Sequence, residues 1–485
     1  VREALRLPDF LALAEGGEAA PLRLAIGEGN LLSRWVYALA APFPTIEDEV
    51  SFEDVQQAWR GRRGGPFDGE PLLMDEAAYR AWQAAWGPAA DGAVRLVETG
   101  ELLDEAWRRR PAWALLPFEA IEPRWKILAV DGASPLRADF DPGDYPLALP
   151  LSLEGDPALA QALLSGSEPA LLSTPAANRD PGRLTVLAMT GVTALVRATA
   201  YTMERRGVTY PAQDISEWLR QADLTHISNE VPFARDCPFP NPVQADMRFC
   251  SADEYIGLLE EVGADVIELT GDHFGDWGDQ AMRHTLGLYR ERGWPYYGGG
   301  EDLQDGRQAL RIEHNGNRLA FIGCNAKGGG YAGASQSKPG AVACDFPWME
   351  AEISRLREEG YLPIATFQHF EYYTYQAQPN QEADSRRLAG AGAVIVSGSQ
   401  AHQPQGMEFY QRAFIHYGLG NLFFDQYEVS QATRQAFIDR HVFYDGRYLG
   451  VELLPILFVD FARPRPMTAG EARELLNSVF AASGW

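Results

Sequence analysis

The chain has 485 residues, of which 46% are hydrophobic, 11% aromatic and 22% charged, the balance of a folded protein rather than a disordered or fibrous one. At roughly 100–200 residues per domain, this length accommodates about two to four domains and excludes a small disulfide-stapled scaffold. Sixty-seven acidic against forty-two basic residues leave a formal charge of −25, a field that repels phosphate backbones and anionic membrane surfaces, so no nucleic-acid partner is expected.

In chain order, LRLAIGEG (Leu22–Gly29) reads as a strand, SFEDVQQAWRG (Ser51–Gly61) as a capped helix and TGELLDEAWRRR (Thr99–Arg110) as a second helix. PAWALLPFEAI (Pro111–Ile121) and RWKILAVDG (Arg124–Gly132) read as strand-rich, so strands and helices alternate as in an α/β module. From about Asp141 to Arg183 the sequence turns loop-like, with DPGDYPLALPLSLEGDP, a short helical stretch near QALLSG, and STPAANRDPGR. This marks a boundary between residues 1–178 and 179–485. Beyond it LTVLAMTGVTALV (Leu184–Val196) is an apolar run expected of a strand buried on both faces. Similar runs recur at ADVIELTG, RLAFIGCN, LPIATFQH, GAVIVSG and AFIHYGLGN. Helical patterns lie between them at DISEWLRQADL, SADEYIGLLEEVG, DQAMRHTLGLYRERG and FPWMEAEISRLREEG. The second part is therefore a larger α/β domain, closed by GRYLGVELLPILFVDF and the helix TAGEARELLNSVF.

No run of roughly eighteen apolar residues occurs, so no membrane-spanning segment is expected. The first residue is Val1, compatible with a removed signal peptide or with trimming. Cys237, Cys250, Cys324 and Cys344 lack zinc-type spacing. Cys237 and Cys250, in a Pro-rich loop region, could pair in an exported protein; the alternative is free thiols.

Strand ends in α/β folds converge on one edge, so polar residues just after apolar runs can meet. Those residues are Asn229 and Glu230 after LTHIS, Asp272 and His273 after VIELTG, His369 and Glu371 after IATFQ, and His402 after IVSGSQA. Imidazoles and carboxylates on adjacent loops suit a divalent ion such as Zn²⁺, Mn²⁺ or Fe²⁺. Each has a plainer reading: a lone Asp-His in TGDHFGDWG is more often a turn or helix cap than a ligand. His416 reads as a hydrogen-bonded strand histidine, and His226, His284, His314 and His441 as structural or surface residues.

Taken together, these segments resemble the CapA-type proteins of poly-γ-glutamate capsule synthesis, whose domain is related to calcineurin-like metallophosphoesterases. The resemblance runs from about Leu184 to the C-terminus. ADLTHISNEVPF resembles the family's Asn-Leu-Glu segment, and VIELTGDHFGDWG its Ala-Asn-Asn-His segment with the following Asp-aromatic-Gly, which here holds Asp276 and Gly278. YYGGGEDLQDGRQ is similar to its glycine turn, and FQHFEYY to its His-containing segment ending in Glu-Tyr. SGSQAHQPQGMEFYQRAFIHYGLGNLFFDQ is similar to its Gly-His-His-Pro-His, Gln-Gly and Leu-Gly-Asn-Phe signature. The departures fall on ligand positions: Thr190-Gly191 stands for Gly-Asp, and Ser399 and Gln400 stand for two histidines.

What the resemblance implies is a four-layer α-β-β-α metallophosphoesterase-like sandwich, preceded by a smaller α/β domain. It also implies one divalent metal ion rather than two, held by Glu230, Asp272, His369 and His402. His273 and Asp272 are the expected catalytic residues, and Asn229, Glu371 and Asn421 the substrate-binding ones. The smaller domain is similar, through VSFEDVQQAWRG and DYPLALPLSL, to part of a periplasmic phosphate-binding-type protein. The expected activity is a metal-dependent hydrolase or transferase of the cell envelope or extracellular space, acting on a polymer such as poly-γ-glutamate or on a small molecule. A metal-dependent peptide epimerase and a non-catalytic binding protein with a degenerate site are the alternatives. An anionic substrate would need local cations against the overall charge, and Arg235, Arg248 and Lys327 are the candidates.

Overall fold

A computed structural model describes residue 14 and residues 20–62, 64–165, 175–328 and 330–485. Of the expected linker, residues 166–174 lie outside the described residues. The chain divides into two compact units, residues 1–182 and 183–485.

The first unit is an eight-stranded, largely antiparallel sheet in which Leu31–Pro42 pairs with Ala148–Gly155, Trp113–Pro117 and Trp125–Val130. Helices Phe52–Trp59 and Glu76–Trp86 start at Ser51 and Asp75, whose side chains accept the backbone N–H groups of Asp54 and Ala78. The Pro-rich stretch after Asp141, expected as loop, contains the strand Ala148–Gly155, which joins Leu22–Ile26 to Leu31–Pro42. Leu147, Leu149, Leu151 and Leu153 carry the two-residue period of a strand, which Pro146 and Pro150 conceal in the sequence.

The second unit is built on two sheets. Leu184–Met189, Leu224–Asn229, Val266–Glu268 and Tyr296–Tyr297 run parallel in one, which Gln435–Tyr444 and Arg447–Phe458 extend antiparallel. In the other, Asn317–Asn325, Leu362–Gln368, Ile395–Ser397 and Ala413–His416 run parallel. Met203, Leu259, Met282 and Leu286 cover the outer face of the first sheet, and Met349, Ile353 and Leu388 that of the second. The inner faces meet through Tyr297 on Phe321, Phe414 on His441, and His416 bonded to Asp439. This is the four-layer α-β-β-α sandwich. The run from Leu184 to Val196 is not one strand: it breaks at Thr190-Gly191 and resumes as Val192–Thr193, paired with both Leu224–Asn229 and Asn421–Phe423.

Both cysteine pairs are disulfides. Cys237–Cys250 closes the Pro-rich loop, with Cα atoms 5.8 Å apart. Cys324–Cys344, 4.9 Å apart, ties the end of Asn317–Asn325 to the segment entering helix Phe346–Glu358, a pairing no local spacing announced.

Candidate functional site

Parallel strands in both sheets deliver their C-terminal ends to a common site, and residues at or just after those ends set its chemistry. Glu230 follows Leu224–Asn229, Asp272 and His273 follow Val266–Glu268, Lys327 follows Asn317–Asn325, and Gln368 ends Leu362–Gln368. Ligand atoms of Glu230, Asp272 and His273 lie within 4.8 Å of one another. Glu230 is fully buried.

Gln368 connects the group. Its amide nitrogen donates to Asp272 Oδ1 at 2.5 Å and to Glu230 Oε1 at 3.4 Å, while its oxygen accepts the Asp272 backbone N–H. His273 Nδ1 lies 2.7 Å from Asp276 Oδ2, which leaves Nε2 as its free ligand atom. Asp276 is held in turn by the Phe249 backbone N–H and the Tyr331 hydroxyl. A carboxylate behind an imidazole fixes its tautomer and orientation, the arrangement that commonly backs metal-bound histidines.

The charges are strongly coupled. Burial pushes the Glu230 carboxyl up, opposed in part by His402 and His273. Burial would also raise Asp272, but the Lys327 ammonium and His273 hold it below the usual carboxylate range. For His273, burial acts downward, yet the Asp276 hydrogen bond and the charges of Glu230, Asp276 and Asp272 lift it to about 9. Three donors with one carboxylate poorly partnered and one imidazole backed by an acid suit a single divalent ion with an open coordination position.

Not every expected residue joins this group. His369 turns away: its Nε2 lies 3.1 Å from Asp384 on helix Pro379–Ala391 and its Nδ1 accepts the Phe370 backbone N–H. Asn229 has no exposed surface and donates to the Val231 carbonyl and the Tyr289 hydroxyl, so it braces the loop rather than meeting a substrate. Asn421 is equally buried; its amide donates to the carbonyls of His402 and Thr433, and its oxygen lies 2.9 Å from His402 Nδ1. It therefore orients His402, whose Nε2 lies 3.9 Å from Glu371 Oε1. Glu371 is partly exposed and paired with Lys327 at 2.9 Å.

The departures from the family pattern are built into the packing. A Cβ at Gly191 would lie 1.8 Å from the Gly420 carbonyl oxygen, so no side chain fits there. Ser399 bonds Glu268, which also pairs with His226 at 3.3 Å, and Gln400 donates to the Ser228 hydroxyl; all five residues are buried.

Of the three candidate cations, Lys327 is taken up by Asp272 and Glu371. Arg248 is fixed by its Nε bond to the Asp276 carbonyl and by stacking on Trp277, 4.7 Å from the ring centroid. No bond from its two Nη groups is found among the described residues, and Arg248 lines a cavity of about 300 Å³ with Arg197, Asn241 and Gln244. Arg235 is exposed. Sequence reasoning missed Gln368, although its neighbour His369 was singled out. It could have been found from strand alternation, since adjacent residues at a strand end face opposite sides.

Residues 186–426 match the family described as bacterial capsule synthesis protein PGA_cap. The capsule biosynthesis protein CapA of Bacillus anthracis is 24% identical over 300 residues, covering 61% of this chain and 72% of that protein. The PGA biosynthesis protein CapA of Bacillus subtilis (strain 168) is 27% identical over 199 residues, 39% of this chain; the chain spans only 52% of that relative. Among solved structures, the 5'-nucleotidase precursor of Thermus thermophilus is similar at 13% identity and a TM-score of 0.35, over 62% of this chain and 59% of that one. An ABC-type phosphate transport receptor from Vibrio cholerae is similar at 13% identity and a TM-score of 0.24, over 31% and 64%. The matched segment begins in the first parallel strand and ends just past Asn421, enclosing every residue of the site, and over that segment this chain is similar to the PGA_cap family of bacterial capsule synthesis proteins.

Proposed function

We propose that this chain is a metal-dependent enzyme of the cell envelope that hydrolyses or transfers a bond in a capsule- or peptide-type polymer such as poly-γ-glutamate. The observation that carries this reading is the Glu230, Asp272 and His273 group with Asp276 behind the imidazole. A divalent ion bound there would polarise a substrate oxygen or lower the pKa of a water. The protein's own groups do the rest. Gln368 fixes the two carboxylates, and His402, held in one orientation by Asn421, is the imidazole left to carry a proton. The unclaimed Nη groups of Arg248 suit a substrate carboxylate.

The names of the two relatives, capsule and PGA biosynthesis proteins, support the substrate class. Two disulfides support an oxidising compartment outside the cytosol. No helix among the described residues is long and apolar enough to cross a membrane. The charge of −25 argues against nucleic acid and supplies no attraction for an anionic polymer.

The test is elemental analysis of the purified chain together with the chain length of poly-γ-glutamate after incubation. The expected result is about one ion per chain and shortened or re-linked polymer, with both lost in Glu230→Gln. Deuterium uptake without a change in length would move the reading to an epimerase. No ion after reconstitution and no turnover would overturn it in favour of a binding protein, the reading that the closed positions at Gly191, Ser399 and Gln400 favour.

A further inference from the structure

A candidate ion position and an ammonium lie side by side in this site and share Asp272. One is bounded by Glu230, Asp272 and His273. The other is filled by the ammonium of Lys327, whose Nζ lies 2.5 Å from Asp272 Oδ2 and 2.9 Å from Glu371 Oε1. We propose that Lys327 is a covalently attached substitute for a second metal ion, so that the site accepts one divalent ion and not two. This rests on the reading of Glu230, Asp272 and His273 as ligands.

The geometry supports the assignment in three ways. First, the ammonium is placed rather than wandering: the Lys327 backbone N–H donates to Asn325 Oδ1 at 2.9 Å, and only about a quarter of the side chain is exposed (23%). Second, its partners are metal-type ligands. Both are carboxylates, and the Glu371 oxygen that pairs with the ammonium also lies 3.9 Å from His402 Nε2. Third, the positions at which the resemblance places further ligands are closed. The Gly420 carbonyl occupies the space a side chain at Gly191 would need, and Ser399 and Gln400 are bonded into the buried layer between the sheets. An ammonium supplies a positive charge and hydrogen bonds to both acids, but it carries one charge where a divalent ion carries two and cannot act as a Lewis acid toward a substrate oxygen. Lys327 is therefore a positioning residue: it holds Asp272 and Glu371 at fixed separation and repels a second divalent ion by Coulomb's law.

Removing the charge should vacate the position and leave its ligands in place. Full-length wild-type protein, Lys327→Met and Lys327→Arg would be loaded with Mn²⁺ and dialysed, then read by elemental analysis and by electron paramagnetic resonance, with a thermal melt to establish folding. The expected result is one isolated Mn²⁺ in wild type and Lys327→Arg, and two dipole-coupled Mn²⁺ ions in Lys327→Met. Lys327→Ala serves in the same way if the methionine variant fails to fold. Equal stoichiometry in wild type and the neutral variants overturns the proposal, as does a coupled pair in wild type or in Lys327→Arg. If wild type takes no ion and Lys327→Met takes one, the substitution role of Lys327 stands while the metal-enzyme reading of the preceding section falls.

Discussion

His273 and His369 follow strands of the two different sheets and looked equivalent in sequence, yet their neighbours give them different work. His273 has an acid at its Nδ1 and two carboxylates within ligand reach, whereas His369 is spent on Asp384. His273→Ala should therefore abolish stoichiometric ion binding. His369→Ala should leave it within about threefold of wild type and cost about 1 kcal/mol of stability, the usual net worth of one such bond. Metal titration by calorimetry, paired with urea melts, checks both. Loss of the ion in His369→Ala would return that residue to the ligand set. Residue types at strand ends were legible because a carboxylate or imidazole after an apolar run stands out. Which way each side chain points was not, since Gln368 and His369 differ by the one-residue step that reverses a strand's face.

At the scale of elements, buried parallel strands are the easiest feature to read, because covering on both faces leaves them almost free of polar residues. Asn317–Asn325 and Leu362–Gln368 sit where their apolar runs place them. Breaks within a run are harder to see. Gly191 interrupts the first strand because the chain passes against Gly420, a contact 229 positions away that no local pattern records. Ala148–Gly155 was concealed by its prolines, and its strand character depends on partners at both edges. The crossing at Gly191 yields a prediction. Gly191→Ala puts a methyl into a backbone carbonyl, so it should destabilise the second unit by about 3 kcal/mol, as overpacking does. Gly191→Asp should do the same and gain no ion. Urea unfolding and elemental analysis measure the two effects, and a stable Gly191→Asp protein with an extra ion would mean that this crossing can open.

At the scale of the whole molecule, charge and site oppose each other. A chain at −25 repels a polyanion at long range, while on the proposed reading Arg248 and any bound ion would attract a substrate carboxylate only at contact. Salt separates the two because screening removes distant repulsion first: the Debye length falls from about 30 Å at 0.01 M to about 8 Å at 0.15 M. Association with long poly-γ-glutamate, followed by stopped-flow fluorescence, should therefore accelerate several-fold over that range. Association with an uncharged polymer of the same length should not change. Arg248→Ala should slow binding at every salt concentration yet keep the upward slope, because it removes a contact and leaves the field. A rate that falls steadily with salt in the wild-type protein would instead mean that a local positive surface governs the approach, and that the overall charge does not reach the site.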